Sequence, residues 1–459
     1  MANFFKENTK KPTNKKVKKH LSVTIEKLDL NGCGVAYFNK KPVFINATLP
    51  NEHVDISVEE QRNKYSIAKL LKINKPSQNR VEVKCQHFSN CGGCDLQHLY
   101  YSEQLEFKKN KVTQLFSRAG IDQKLVLDLP WQKPIVSLQW GYRRKARIGV
   151  QFNKNSQAII GFRQKSTNKL VTIKTCPVLA APADSIFLIL KELIDQLSVQ
   201  KSIGHIEVIC TENITEDDII EPKLTLIVRQ IRKLSENDRK LWSQYIEKNR
   251  WEVIFQEDNN KFSVQESEST TNNLNYLLEN GIQINFTHND FIQINQQVNI
   301  AMVNQAIEWL QLKSSDNILD LFCGLGNFSL PIAKKVNSVV GVEGVQSMVD
   351  KAYANAKFNH VNNCQFFQEN LNSEWIEKEW AKKTYNKVLL DPARAGAKIA
   401  VEQIIQLNIP TILYISCEPS TLATDSHILL SNGYKIKKIG LIDMFSQTKH
   451  VETMILFSL

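Results

Sequence analysis

From about residue 286 to the C-terminus the chain alternates short apolar runs with helical stretches, and this rhythm restricts the fold more than any other feature. The runs are NILDLF, SVVGVEG, CQFFQ, NKVLLD, TILYISC and KIKKIGLI, with HVETMILFSL closing the chain. Strands buried on both faces read as near-continuous apolar runs, and helices between them impose parallel crossovers. The expected class is α/β, with a Rossmann-like, mostly parallel C-terminal sheet whose last run can insert antiparallel. Ligands of such sheets gather beyond the carboxyl ends of the strands. The residues just after each run are therefore the first candidates for function.

The segment DLFCGLGNFSL, Asp320 to Leu330, follows the first run and opens a helix. Gly324 and Gly326 allow a tight turn and a close backbone approach to a ligand. Ser329 stands where a dinucleotide fingerprint has its third glycine. That disfavours a pyrophosphate and suits S-adenosylmethionine. Glu343 ends the next run, where an acidic side chain can accept hydrogen bonds from both ribose hydroxyls. Asn370, after the third run, lies where an adenine-facing residue is expected; alternatively it is a simple turn residue.

Asp391 ends NKVLLD and Cys417 ends TILYISC, so both should face the methyl donor. A helix is expected to start near Ser420, and its positive end would lower the Cys417 thiol pKa. A thiolate is what carbon 5 of uracil requires. Addition of sulfur to carbon 6 turns the ring into an enolate, and carbon 5 then becomes nucleophilic enough to take a methyl group. A base must afterwards remove the carbon 5 proton; Glu452, in HVETM, is the candidate, although from sequence alone a surface carboxylate is the favoured reading of that residue.

Upstream the chain changes character. Residues 1–20 carry Lys6, Lys10, Lys11, Lys15, Lys16, Lys18 and Lys19 against Glu7, a basic disordered arm that serves either RNA phosphates or solubility. Residues 21–75 hold short β-like runs separated by turns, the pattern of a small barrel. Residues 76–285 mix a helix near 102–119 with a hairpin turning at Asn153-Lys154-Asn155. In that hairpin Arg143, Arg144, Lys145, Arg147 and Arg163 mingle with Trp140, Tyr142, Phe152 and Phe162, as suits RNA backbone contact plus base stacking. The net charge of +11 fits a polyanionic partner.

The nine cysteines are odd in number and no export signal or membrane-length apolar run is present, so a cytoplasmic protein without a disulfide framework is expected. Cys85, Cys91 and Cys94 form a C-x5-C-x2-C run, and Cys176 supplies a fourth thiol. Four sulfurs fit zinc or an iron–sulfur cluster, and the lack of two tight pairs favours the latter.

FIQIN, DLFCGLGNFSL, DPAR, ISCEPSTL and DMFSQTKHVETM together resemble the RNA 5-methyluridine methyltransferase family. The resemblance implies S-adenosylmethionine binding by Gln293, Phe322, Asn327, Glu343, Asn370 and Asp391. It implies uracil seating by Phe291, Asp391 and Arg394, with Cys417 as nucleophile and Glu452 as base. Where the family often has proline in DMFSQT, this chain has Ser446. A TRAM-type barrel over 21–75, a cysteine-rich central domain over 76–285 holding a [4Fe-4S] cluster on Cys85, Cys91, Cys94 and Cys176, and a methyltransferase domain over 286–459 together resemble the branch acting on 23S ribosomal RNA at uracil-1939. A monomer is expected. Rival readings are the same chemistry on another ribosomal or transfer RNA uridine, a cytosine carbon-5 enzyme, and a non-enzymatic iron–sulfur RNA-binding protein. Cytosine enzymes usually carry Pro-Cys, whereas this chain has Ser416-Cys417.

Overall fold

A computed structural model describes residues 19–199, 201–214, 220–258, 261–264 and 274–459. The basic arm expected over 1–20 lies, up to residue 18, outside the described residues; Lys19 and His20 open a strand.

Two compact units divide the chain, Met1–Lys84 with Cys94–Gln104, and Cys85–Gly93 with Leu105–Leu459. The first holds a six-stranded sheet in the order Lys19–Thr24, His53–Gln61, Ser66–Lys75, Lys41–Ile45, Gly34–Phe38, Lys27–Leu28. Val54, Ile56 and Val58 alternate inward along the His53 strand, at the period of two that a half-buried strand requires. They meet Val23, Ile25, Val43 and Ile45 in one core. Gly34 is obligatory here, since a Cβ would stand 2.0 Å from the Thr48 hydroxyl.

The second unit contains two seven-stranded sheets. One runs Lys261–Val264, Trp251–Asp258, Ile220–Gln230, Ile203–Ile214, Lys145–Phe152, Ala158–Arg163, Leu170–Thr172. The helices Phe187–Asp195 and Glu236–Asn249 share a core with it, in which Trp242 meets Phe255 edge to face at 5.4 Å. The other sheet runs Cys364–Gln368, Ser338–Glu343, Asn317–Leu321, Lys387–Leu390, Thr411–Ser416, Glu452–Ser458, Lys435–Ile442. Its first five strands are parallel, and Glu452–Ser458 inserts antiparallel to both neighbours. Residues buried on this sheet's two faces fall into two cores, one around Met302 and Leu389, the other around Trp375 and Leu390.

The compact units do not follow the boundaries at 75 and 285. The helix Tyr101–Arg118 sends Val112 and Phe116 into the second of these cores. The hairpin Leu274–Leu277 with Gln283–Phe286 sends Tyr276 and Phe286 into the first. The reason is packing: neither a lone helix nor a two-stranded ribbon buries its own apolar face. No described helix is long and apolar enough to cross a membrane.

Candidate active site

The strand Asn317–Leu321 runs straight into the glycine-bearing loop. Phe322, at φ 64°, occupies the left-handed region that non-glycine residues avoid, a strain of about 1–3 kcal/mol that surrounding structure must sustain. Gly326, at φ 90°, adopts a backbone conformation that side chains rarely tolerate, and a Cβ would also press the Leu330 side chain at 3.1 Å. Glu343 closes the loop from the next strand. Its Oε2 accepts from the Gly324 N–H at 3.1 Å and its Oε1 from the Val345 N–H at 3.2 Å. Ser329 is no mere replacement for glycine. Its hydroxyl donates to the buried carboxylate of Asp320, whose carboxyl burial pushes up to about 7. Asn327 is largely committed inside the protein: it exchanges amide hydrogen bonds with Asn299 at 3.0 Å and accepts from the Tyr276 hydroxyl at 2.9 Å. Exposed Asn370 sits beyond the third strand, and its Oδ1 accepts from the Asn372 N–H at 3.1 Å, a side-chain turn of the kind a loop residue makes.

Strand register brings the reacting groups together. Ser416 pairs with Thr453, so continuing that antiparallel ladder by one residue sets Cys417 opposite Glu452. Leu390 pairs with Leu321 on one side and Tyr414 on the other, which carries Asp391 to the same edge; its N–H approaches the Leu321 carbonyl at 3.4 Å. Glu452 is buried, and its Oε2 has no hydrogen-bond partner among the described residues. Burial first, then the Asp391 charge, pushes the Glu452 carboxyl up to about 8. Burial likewise raises Asp391 to about 7. Asp391 acts electrostatically on Glu452, and both act on Cys417, so the three groups titrate as a set.

The expectation of a lowered Cys417 pKa is overturned. Burial, reinforced by Glu452 and Asp391, pushes the thiol up to about 11, with the Arg394 charge and a backbone hydrogen bond opposing. The helix Pro419–Ser431 does start two residues later. Its N-cap is Glu418, whose carboxylate accepts from the Ser420 N–H at 3.3 Å and hydroxyl at 2.7 Å. An anion therefore already occupies the positive helix end.

The basic–aromatic hairpin also needs correcting. Lys145–Phe152 and Ala158–Arg163 do pair around a turn at Asn153. However, Arg144 is buried, its guanidinium lies 4.5 Å from the Tyr276 ring, and its Nε donates to the Gln293 carbonyl at 2.8 Å. Lys145 donates to the carbonyls of His288 and Asp290 at 3.1 and 2.8 Å. Phe162 packs on Phe187, and Tyr142 is buried. Arg144 and Lys145 thus fasten the 288–294 segment, which presents Phe291 to solvent at 68% exposure and carries Gln293. Arg163 stays exposed, and exposed Arg147 pairs with Glu207. Exposed Arg394 follows the DPA turn near Cys417.

Sequence reading missed Lys108 and Asp443, an ion pair with both side chains 1% exposed. The available signal was position: Lys108 lies on the i, i+4 row Gln104, Lys108, Val112, Phe116, which is buried throughout.

Cys85, Cys91 and Cys176 lie in one compact unit, and Cys94 belongs to the other. Burial raises the Cys91 and Cys176 thiols, and the Cys85 sulfur acts electrostatically on both. Among the described residues, no three His, Cys, Asp or Glu side chains are already arranged to hold a metal ion.

Residues 100–459 match the family model described as tRNA (Uracil-5-)-methyltransferase, and residues 14–71 match the TRAM domain. The chain is 52% identical to the 23S rRNA (uracil(1939)-C(5))-methyltransferase RlmD of Colwellia psychrerythraea, covering 100% of this chain and 99% of that protein. It is 42% identical to the protein of the same name from Psychromonas ingrahamii, covering 100% of both. Among solved structures it resembles the Pyrococcus abyssi tRNA (uracil-54, C5)-methyltransferase in complex with S-adenosyl-L-homocysteine. That likeness has a TM-score of 0.71 and 23% identity, and covers 95% of this chain and 99% of that one, so it is a likeness of fold.

Proposed function

The chain belongs to the tRNA (Uracil-5-)-methyltransferase family, and from that premise we propose its function: S-adenosylmethionine-dependent methylation of carbon 5 of uracil-1939 in 23S ribosomal RNA, through a covalent adduct between Cys417 and carbon 6 of the ring. End-to-end likeness to relatives named for that substrate supports the choice of RNA. The chemistry rests on one observation: Cys417, Asp391 and Glu452 converge at the ends of adjacent strands, beside the loop that Glu343 closes.

S-adenosylmethionine, when bound, supplies an electrophilic methyl group. Gln293, Phe322, Asn327, Glu343, Asn370 and Asp391 would hold it. The donor set fits a nucleoside: a carboxylate at the strand end for ribose hydroxyls and a tight backbone turn opened by Gly324 and Gly326. Asn327 contributes mainly by holding that turn, since its amide is engaged by Asn299 and Tyr276. Phe291, Asp391 and Arg394 would seat the uracil, which must leave its stack to reach the strand ends. With its carboxyl pushed up to about 7, Asp391 is partly protonated near neutral pH and in that form can donate a hydrogen bond to the ring, and the Arg394 charge favours the developing enolate. Cys417 adds to carbon 6 as its thiolate, and after methylation Glu452 in its ionised form takes the carbon 5 proton as the sulfur leaves. Incubation with unmodified 23S ribosomal RNA and methyl-labelled S-adenosylmethionine should place label at uracil-1939. Label confined to transfer RNA would refute the substrate.

The finer reading of the cysteines is a [4Fe-4S] cluster with a structural role, held by Cys85, Cys91, Cys94 and Cys176. It is supported by the electrostatic proximity of Cys85, Cys91 and Cys176 and by burial of Cys91 and Cys176, which leaves those two poor as isolated thiolates but suited to a metal's positive charge. Protein prepared without oxygen should carry about four iron and four sulfide per chain; stoichiometric zinc instead would exclude the cluster.

A further inference from the structure

A buried cation that the chemistry above does not use lies beside the base. Lys108, on the helix Tyr101–Arg118, donates from Nζ to Asp443 Oδ1 at 2.5 Å and to the Phe445 carbonyl at 3.0 Å. The second oxygen of Asp443 accepts from the Ser446 hydroxyl at 2.5 Å, and the Ser446 carbonyl accepts from the Tyr142 hydroxyl at 2.8 Å. One turn along the same helix, Lys111 donates to the Lys449 carbonyl at 3.1 Å. The helix thus grips both ends of the turn over residues 443–450. That turn joins the last two strands, whose final pair is Ile442 with Glu452. Asp443 therefore follows directly on the strand partner of Glu452. A buried Lys–Asp pair adds little net stability over apolar side chains of similar volume. Stability alone gives no account of why a cation is kept here.

We propose that Lys108 is a positioning residue for Glu452: through Asp443 and the Phe445 carbonyl it sets the 443–450 turn so that the carboxylate meets the carbon 5 proton, and it presents a positive charge to that carboxylate. The proposal rests on the reading of Glu452 as base. In the release step the carbon 5–hydrogen bond breaks, with the proton going to a Glu452 oxygen. The electron pair forms the carbon 5–carbon 6 double bond, and the carbon 6–sulfur bond breaks to leave Cys417 as thiolate. Glu452 Oε2, without a partner among the described residues, is available to receive that proton. The charged or titratable groups facing Glu452 are Asp391 from the Lys387–Leu390 strand end, Cys417 from the Thr411–Ser416 strand end, and Lys108 from the helix. Arg394 faces Cys417. Of these, Lys108 opposes the upward push of burial and Asp391 on the Glu452 carboxyl.

The test follows formation and decay of the Cys417–RNA adduct in the full-length protein with a uracil-containing 23S fragment, between about pH 6 and 10. Lys108→Met removes the charge but strands Asp443. Lys108→Met with Asp443→Leu removes the pair together and spares the fold from an unpaired buried ion. In both, the midpoint of the adduct-release profile should move up by about one pH unit, and release near neutral pH should slow about tenfold. Adduct formation and the KM for S-adenosylmethionine should hardly change, and Lys108→Arg should restore the midpoint. An unmoved midpoint in the double variant, or a loss uniform across pH that parallels melting temperature, would overturn the proposal. Glu452→Gln separates the two levels. If it accumulates no adduct, the base assignment itself is wrong; if it traps adduct while the double variant keeps the wild-type midpoint, only the role of Lys108 fails.

Discussion

Cys417→Ala should bind S-adenosylmethionine normally and transfer no methyl group, with turnover lower by roughly 10⁴-fold or more. The thiol lies across the sheet edge from Glu452 and not among the residues around Gly324 and Glu343, so the donor site keeps its geometry. The loss is large because sulfur addition is what makes carbon 5 nucleophilic; no neighbouring side chain can substitute for it. Calorimetry would measure donor binding, and label transfer to 23S RNA the turnover. Transfer at the wild-type rate would exclude covalent catalysis. The raised thiol pKa of about 11 adds a pH signature to the wild type. Thiolate is scarce at neutral pH, at about one part in 10⁴, so adduct formation should accelerate as pH rises through the neutral range. An active-site cysteine with a depressed pKa would instead give a flat profile there.

Glu452→Gln should do the opposite to the adduct. Addition and methylation proceed, but an amide cannot accept the carbon 5 proton, so release slows by about 10²- to 10⁴-fold and a protein–RNA species persists under denaturing electrophoresis. Efficient release of methylated RNA would refute the assignment. Stability should move independently of activity. The folded carboxyl holds its proton up to about pH 8, whereas the unfolded one releases it near 4.5. Across that window unfolding releases a proton, so this group lowers wild-type stability progressively as pH rises from about 4.5 to about 8, and the effect levels off above. The uncharged glutamine carries no such penalty. The variant's melting temperature should therefore gain on the wild type between about pH 5 and 8, which excludes misfolding as the cause of lost release.

Part of this site is legible because it is local. A strand end, a glycine turn and a helix start are written in adjacent residues, so Glu343, Asp391 and Cys417 could be assigned to one crevice from rhythm alone, whereas Phe322 came only with the family resemblance. The inward turn of Arg144 and Lys145 was not legible. Alternating cationic and aromatic residues look the same whether they face RNA or serve carbonyls of a segment about 145 positions away, as Lys145 does with His288 and Asp290. The Cys417 pKa failed for a related reason: a helix dipole can be inferred from sequence, but the Glu418 cap that answers it and the burial that outweighs it are three-dimensional.

By itself the chain's pattern of apolar runs and punctuating Gly, Asp and Cys determined an α/β methyltransferase-type sheet and the crevice at its strand ends. These follow from short-range stereochemistry and from burial of both sheet faces. Tertiary structure alone decided how the crevice is supported: Glu452 comes beside Cys417 because the last strand inserts antiparallel, and Lys108 reaches Asp443 across 335 positions of sequence. Protonation states were decided there too, because solvent exclusion and long-range charge depend on distances in space that spacing along the chain does not encode.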